Sequence, residues 1–436
     1  MQNWTNIKTF GAVGSGAVDD APAIQKAFNW AADAGGVGDG GVTLFAPRGD
    51  YRLDSPVIPK NFVELIGVPG HGGTYFTANN ATGAFYGAGG IAKARFRKFT
   101  VRASGAGVGV ASAFSSSGYA NQNSRCIFEE IDLWRDLGYG WKGNFITTKW
   151  LRGEWGYSGA SGAQFTPIYC KGDLASGNQV NANQVSGQYI LGAKGTDCLY
   201  FDYGSNVKFS DLVFENNVST WLIQALGMMV VSLRDYYVEG GSGGAALFKF
   251  ANDSVGAAQG TYSVKMSGGL IALLAGNTEV FTLGGASGDV EFTNHRVTGP
   301  GATMAGKHIS GADDVFSVYA NNSTPGLTVA KTPSPGNYAR VTYGTAAATN
   351  TVAANLFDAA TVGPGLYLVS AIIVGLGPNF EAEALVNYDG SGNVALLQNA
   401  GGITMAIDIS GTLVRGTFSG GGAPQTISWA AQRIAQ

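Results

Sequence analysis

The chain has 436 residues, of which 67 are glycine, and its 27 lysines and arginines stand against 30 aspartates and glutamates. With 45% hydrophobic and 13% charged residues it is too apolar for a disordered chain, and glycine shows no collagen period. The net charge of −3 leaves no basic excess for nucleic acid, and no apolar run approaches the roughly 18 residues of a membrane helix. We therefore expect neither nucleic-acid binding nor membrane insertion, and the first residues lack the layout of a signal peptide.

One segment near the N-terminus predicts an α-helix. Asp19 and Asp20 offer carboxylates that can cap a helix, and Gly35 and Gly36 are natural stop signals. Between them, apolar residues recur at helical spacing, at Ile24, Ala27, Phe28 and Ala31.

Most of the remaining chain predicts short strands separated by Gly, Asn, Ser and Asp turns, and these strands repeat. Leu199, Leu222 and Leu247 begin equivalent strands, which places them 222−199 = 23 and 247−222 = 25 residues apart. A period in the twenties indicates a solenoid, in which no repeat buries its own apolar face and the repeats must stack.

Within each repeat, two turn-type residues interrupt the alternation of apolar and polar residues. The pairs are Glu129-Glu130, Ser210-Asp211, Arg234-Asp235 and Thr293-Asn294. The apolar positions around them should point inward: Phe96, Phe128, Phe209, Leu233, Met266 and Phe292 before the turn, and Phe99, Ile131, Leu212, Tyr236, Val101, Leu133, Phe214 and Val238 after it. The alternate residues should point outward.

The character of the chain changes near residue 321. A segment rich in Ser, Thr, Pro and Gly predicts a linker over 321–337. Longer alternating runs follow, such as 366–372 and 404–410, and predict an antiparallel, jelly-roll-like β-sandwich over 338–436.

The N-terminal 55 residues contain a pattern that is more specific than the repeats. It consists of Phe10-Gly11-Ala12-Val13-Gly14, Asp19-Asp20, Ala23-Ile24-Gln25, Pro47, Gly49 and Tyr51. The pattern resembles that of the pectate-lyase-like right-handed β-helix superfamily, which includes bacteriophage tailspikes and depolymerases of capsule or O-antigen; Ser15 replaces its usual aspartate. The resemblance implies an all-β fold, with an N-terminal strand and capping helix over 1–50 and a right-handed parallel β-helix over 51–320.

The same resemblance implies a bacteriophage tailspike that depolymerises a bacterial capsular polysaccharide or O-antigen. Such a protein would be a homotrimer in the virion tail, in contact with other tail or baseplate proteins, and would act outside the host cell. The sandwich over 338–436 would then serve trimerisation or glycan binding. The alternatives are a non-catalytic glycan-binding adhesin of the same fold and a polysaccharide lyase acting by β-elimination.

Chemistry by metal or cofactor finds little support in the sequence. Neither the aspartate cluster that binds calcium in pectate lyases nor the polygalacturonase motifs stand out. Three scattered histidines and three cysteines (Cys126, Cys170 and Cys198) without C-x-x-C spacing offer no obvious metal site. We therefore expect no metal and no cofactor, and favour glycoside hydrolysis over elimination.

The candidate catalytic residues come from the outward positions. Glu215 and Glu239 are 239−215 = 24 residues apart, so they should lie on adjacent rungs, ~4.8 Å apart in backbone. Two carboxyl groups about 5–5.5 Å apart are the arrangement of a retaining glycosidase. A solvated outer face is the plainer interpretation. Asp211 and Asp235, in the turn pairs, are second-line partners or simply turn formers, and Tyr237 is a candidate substrate contact.

An aromatic and charged stretch over 132–157 is the second candidate region, because flat rings stack on the C–H faces of sugars. Its predicted substrate contacts are Trp134, Trp141, Trp150, Arg152, Trp155 and Tyr157. Glu154 is a reserve catalytic acid. Core packing is the alternative for the rings, since some residues of each rung must face inward.

Overall fold

The computed structural model describes residues 4–35, 41–134, 136–157, 164–240, 242–257, 259–274, 276–284, 289–299, 316–320 and 322–323, and eight strands between residues 341 and 435. The chain divides into two compact units, which are described separately. The first contains residues 1–288, 294–314 and 323–330, and the second contains residues 289–293, 315–322 and 331–436.

The predicted helix is present as α1, Ala21–Gly35. The Asp19 carboxylate accepts a hydrogen bond of 3.0 Å from the Ala21 N–H, and this caps the first turn. The Asp20 carboxylate instead accepts the N–H groups of Val13 and Gly14, at 2.6 and 3.0 Å, and thereby ties the preceding loop to the helix. Two short 3-10 helices, Ile7–Phe10 and Gly105–Gly107, complete the helical elements of the described residues.

The strands of the parallel sheet are β1 Trp4–Asn6, β2 Ser15–Asp19, β3 Thr43–Phe45, β4 Gly49–Leu53, β5 Glu64–Ile66, β6 Thr74–Ala78, β7 Gly83–Gly87, β8 Arg95–Ala103, β9 Ser112–Ser116, β10 Gln122–Ser124, β11 Ile127–Trp134, β12 Tyr139–Ile146, β13 Lys149–Tyr157, β14 Thr166–Lys171, β15 Asn183–Leu191, β16 Asp197–Glu215, β17 Trp221–Glu239, β18 Ala246–Ala251, β19 Ser263–Ser267, β20 Leu270–Ala272, β21 Glu279–Gly284, β22 Asp289–Thr293, β23 Arg296–Thr298 and β24 Phe316–Ala320.

The parallel pairings arrange the first unit into three faces. Face A contains β1, β3, β5 and β19, and face B contains β2, β4, β6, β20 and β23. Face C contains β7, β9, β12, β14, β18 and β21. The long strands β8, β11, β13 and β15 pass from face A to face B, and β16 and β17 cross all three faces in the order C, A, B. This is the predicted parallel β-helix.

The corner between faces A and B repeats one backbone conformation. Its residues have φ between 49° and 69°, namely Lys98, Glu130, Arg152, Gly187, Asp211, Asp235, Gly268 and Asn294. A single left-handed residue turns the chain without ending the strand, and Gly, Asn and Asp tolerate that conformation best. The predicted turn pairs therefore lie at one corner of the solenoid.

The core confirms the predicted inward positions. Every residue named as inward around the turn pairs is at most 3% exposed. Aromatic rings stack from rung to rung, as Phe114 does on Trp141, with centroids 5.8 Å apart and planes 3° apart. Burying each such ring contributes about 1.5–3 kcal/mol. The three cysteines are free and buried, and His295 is inward as well.

The second unit contains two antiparallel sheets, which confirms the predicted C-terminal sandwich class. Its five-stranded sheet has the order β25-β32-β27-β28-β29 and its three-stranded sheet the order β26-β31-β30. The strands are β25 Val341–Ala348, β26 Ala354–Asp358, β27 Gly365–Val374, β28 Glu381–Tyr388, β29 Asn393–Asn399, β30 Thr404–Ser410, β31 Leu413–Ser419 and β32 Gln425–Ala435. The predicted linker over 321–337 lies almost entirely outside the described residues. A search of the described helices found none that is long and apolar enough to cross a bilayer.

Candidate functional site

The outward side of face B carries two columns of side chains. The first column follows the register Asp50, Tyr75, Thr100, Asp132, Glu154, Tyr189, Val213, Tyr237, Leu270 and Arg296. The second column follows Arg52, Thr77, Arg102, Trp134, Tyr157, Leu191, Glu215 and Glu239. Acidic and aromatic residues thus line neighbouring rungs of a single face.

The two predicted catalytic glutamates are direct neighbours. Glu215 and Glu239 are paired in register on β16 and β17. The Tyr189 hydroxyl donates to the Glu215 carboxylate, and the Tyr237 hydroxyl donates to Glu239 Oε2 at 2.8 Å. The hydrogen bond to Glu215 raises the pKa of Tyr189 to about 12, and that to Glu239 raises the pKa of Tyr237. Glu215 is half-buried and Glu239 is exposed.

A second acidic pair lies in the first column, two rungs toward the N-terminus. Asp132 and Glu154 are half-buried on adjacent strands, and the Glu154 N–H donates to Asp132 Oδ1 at 2.9 Å. Burial raises the pKa of Asp132 to about 6, against the effect of that hydrogen bond, and the charges of Glu154 and Glu130 raise it further. A carboxyl that holds its proton near neutral pH is suited to donate it.

Sequence reasoning had placed Asp132 in an outward column but not among the site residues, and it missed Tyr189. The reason is a gap in the repeat. Equivalent strands begin at Lys149 and Asn183, 34 residues apart (183−149), because a long connection separates β13 from β15. The periodic alignment omitted these two rungs, although they bring Glu154 beside Asp132 and Tyr189 beside Glu215.

Three of the tryptophans predicted to contact sugar are core residues. Trp141, Trp150 and Trp155 are at most 1% exposed, so they cannot stack on a ligand outside the solenoid. They occupy inward positions of their strands, and the Trp155 indole N–H donates to the Ile131 carbonyl at 3.1 Å. This corrects the predicted role: the alternative of core packing holds for all three.

The other predicted residues lie at or near the surface. Trp134, Glu154 and Tyr237 are half-buried in the outward columns of face B. Arg152 is an exposed corner residue whose guanidinium pairs with Glu129 and, at 3.6 Å, with Glu130. The Tyr157 position is opposite Trp134, and its side chain lies outside the described part of the chain.

Asp211 and Asp235 are exposed corner residues with φ of 54° and 52°. Ser186 Oγ donates to Asp211 at 3.3 Å, on the same corner. Their backbone conformation agrees with the interpretation as turn formers.

Face C carries a different group. Asp202 is fully buried and accepts hydrogen bonds from the Tyr200 hydroxyl at 2.9 Å and from the Ser254 N–H at 3.0 Å. Lys171 Nζ lies 3.7 Å from Asp202 and donates to Ser254 Oγ at 3.1 Å. In the part of the chain that the structure describes, no three His, Cys, Asp or Glu side chains are grouped so as to hold a metal ion.

Comparison with known proteins locates the resemblance. Residues 4–105 match the family model described as rhamnogalacturonase A/epimerase, pectate lyase-like. A stretch of 69 residues is 42% identical to mannuronan C5-epimerase AlgE3 of Azotobacter vinelandii; it makes up 14% of this chain and 4% of the epimerase. The N-terminal part of the chain is thus pectate lyase-like, as its motifs predicted.

Solved structures with a similar course of the chain include phage proteins. The tailspike protein of Acinetobacter phage vB_ApiP_P1 is 17% identical with a TM-score of 0.49, over 99% of this chain and 87% of that one. The tailspike protein gp49 of Acinetobacter baumannii bacteriophage Fri1, a capsular polysaccharide depolymerase, is 12% identical with a TM-score of 0.44, over 99% and 86%.

Proposed function

We propose that this protein is a bacteriophage tailspike enzyme that binds a bacterial capsular polysaccharide or O-antigen and hydrolyses its glycosidic bonds on face B. The observation that carries the proposal is the pairing of Glu215 with Glu239 in register on an outward face. The pectate lyase-like match over residues 4–105 supports a carbohydrate-active role. The proposal includes a homotrimer in the virion tail, joined to other tail or baseplate proteins and acting at the host cell surface.

The chemistry needs two carboxyl groups with different roles. One protonates the leaving oxygen of the glycosidic bond, and the other attacks the sugar or activates a water molecule. Glu215 and Glu239 fill these roles in the proposal, in an order left open. The hydroxyls of Tyr189 and Tyr237 orient the two carboxylates, and each is a further donor for substrate hydroxyl groups. Asp132, with its raised pKa, is the reserve proton donor, beside Glu154.

Glu215→Gln and Glu239→Gln test the assignment, because glutamine keeps the shape and hydrogen bonding of the side chain but does not ionise. We expect each variant to depolymerise the host polysaccharide at least ~100-fold more slowly, the low end of what acid–base catalysis contributes. Thermal melting should stay near that of the parent protein. Asp33→Asn, an exposed change on α1, is the matched control and should keep full activity.

Full activity in both glutamine variants would remove the pair from the mechanism. If Asp132→Asn or Glu154→Gln were then inactive, the reaction would belong to the second acidic pair of the same face. Binding of the polysaccharide without cleavage by the parent protein would identify an adhesin instead.

The group around Asp202 supports a second candidate, β-elimination on face C. Elimination needs a base that removes the proton beside a uronate carboxyl while the glycosidic oxygen departs, and the product keeps a carbon–carbon double bond. Lys171 and the Tyr200 hydroxyl are the candidate proton-transfer groups, since both lie against Asp202. An unsaturated product that absorbs in the ultraviolet, lost in Lys171→Ala but kept in Glu215→Gln, would establish this reaction in place of hydrolysis.

A further inference from the structure

A stacked group lies at the N-terminal end of the outward columns of face B. The Arg102 guanidinium carbon is 4.9 Å from the centroid of the Tyr75 ring and 5.1 Å from that of the Trp134 ring. The two rings meet edge to face, with centroids 5.8 Å apart and planes at 71°. Cation–π and edge-to-face contacts both stabilise such a group, which we call the Arg102 platform.

The cation of the Arg102 platform is fixed from its other side. Arg102 Nη2 lies 2.7 Å from Asp50 Oδ2, and its Nε donates to Thr77 Oγ1 at 3.0 Å. The Thr77 hydroxyl in turn donates to Asp50. Because both polar groups of the guanidinium edge are engaged, its position is set before any ligand arrives, and so is the orientation of the Trp134 ring against it.

Trp134 differs from the other tryptophans of its stretch. Trp141, Trp150 and Trp155 are buried in the core, whereas Trp134 is half-buried on an outward column. A rigid indole at the surface, next to hydroxyl and carboxylate groups, offers an apolar plane for the C–H face of a pyranose and polar partners for its hydroxyl groups.

The Arg102 platform is remote from the proposed catalytic pair. Trp134 ends β11 and Glu215 ends β16, with β13 and β15 between them, which is three strand spacings or about 14 Å along the solenoid. That distance exceeds one sugar unit. A saccharide bound on the platform therefore lies in the same chain as the cleaved bond but does not touch the reacting atoms.

We propose that Tyr75, Arg102 and Trp134 form a remote saccharide subsite, in which the Trp134 ring stacks on a pyranose of the polysaccharide and Arg102 is the positioning residue. The inference rests on the proposed hydrolysis at Glu215 and Glu239. Binding energy gained far from the reacting bond holds long substrates in place, so the subsite determines a preference for long saccharides.

The test measures kcat and KM on long and short oligosaccharides prepared from the polysaccharide that the protein degrades. For Trp134→Ala we expect KM for long substrates to rise about 3- to 12-fold, as the loss of one aromatic stack implies, with kcat within twofold. Short substrates should be unaffected, and Trp134→Phe should restore most of the affinity. Arg102→Ala should repeat the pattern more weakly, while Trp30→Ala, at an exposed tryptophan of α1, should change nothing.

A binding measurement separates this inference from the proposed function. Calorimetric titration of the Glu215→Gln protein with long oligosaccharide reports affinity without cleavage, and adding Trp134→Ala should weaken that affinity by the same factor. Equal affinity with and without Trp134 would overturn the subsite and leave the hydrolysis proposal standing. An equal loss of kcat on short and long substrates would also overturn it, because the platform would then act at the cleaved bond. Full activity of Glu215→Gln would instead refute the hydrolysis proposal, whatever the titration showed.

Discussion

Single residues at the corner between faces A and B determine whether a rung can turn. Asp235 has a φ of 52°, in the left-handed region that β-branched residues avoid. At the equivalent positions Gly187 and Gly268 adopt φ of 68° and 69°. The side chain at this position is therefore chosen for its backbone conformation first, and any chemistry must be compatible with that.

Asp235→Gly and Asp235→Val separate the conformational role from a catalytic one. Glycine accepts the left-handed conformation, so we expect the free energy of unfolding and the activity to stay near those of the parent. Valine should lower the free energy of unfolding by about 1–2 kcal/mol, measured by denaturant titration. Loss of cleavage in a stable Asp235→Gly protein would show that the carboxylate takes part in the reaction.

Asp132 links one side chain to the pH dependence of stability. Its pKa is raised from 3.8 to about 6 in the folded protein, chiefly by burial. Between these two values the folded protein keeps a proton that the unfolded chain has lost, so the free energy of unfolding falls as the pH rises through that window.

Asp132→Asn should remove this loss. Asparagine still accepts the Glu154 N–H but carries no charge, so at pH 8 the variant should gain about 1–2 kcal/mol over the parent relative to pH 4, a value reduced for partial solvent exposure. Denaturant titrations at the two pH values measure it. An identical pH profile in both proteins would show that the Asp132 carboxyl does not titrate with a raised pKa.

Among the elements, the long strands β11 and β13 show how one segment divides between core and surface. Their inward residues include Trp150 and Trp155, and their outward residues include Asp132, Trp134 and Glu154. The strand alternates its side chains between the two sides, so a run that is aromatic throughout contributes both to the stacked interior and to the outer columns.

Trp141→Ala tests the corrected role of the buried rings. The Trp141 ring packs against Phe114 and Trp155, with centroids 5.8 and 5.0 Å apart, so its removal leaves a cavity. We expect a loss of about 3–5 kcal/mol in the free energy of unfolding, measured by urea titration. Trp134→Ala, on the outward side, should lose less than half as much; the reverse order would contradict the assignment of the two rings.

For the whole molecule, the proposal of a homotrimer can be checked directly. Large apolar side chains are exposed on turns that leave face B, among them Val110 at 51%, Val218 at 57% and Leu274 at 44%. Burying such side chains between subunits would stabilise an assembly. Light scattering should give a mass about three times the 45.0 kDa of one chain, and a stable monomer at micromolar concentration would refute the trimer.

The sequence by itself determined the periodic features of this protein. The capping helix, the turn pairs, the inward apolar positions and the neighbourhood of Glu215 and Glu239 all follow from local patterns repeated every 23–25 residues, and a solenoid converts such a period directly into adjacency. Tertiary structure decided what the period does not encode. The direction of Trp141, Trp150 and Trp155 depended on which strand face met the core, and the contact of Asp132 with Glu154 depended on two rungs that a long connection had put out of phase. The raised pKa of Asp132 and the Arg102 platform depend on how much solvent the neighbouring rungs exclude, and only the stacked structure determines that.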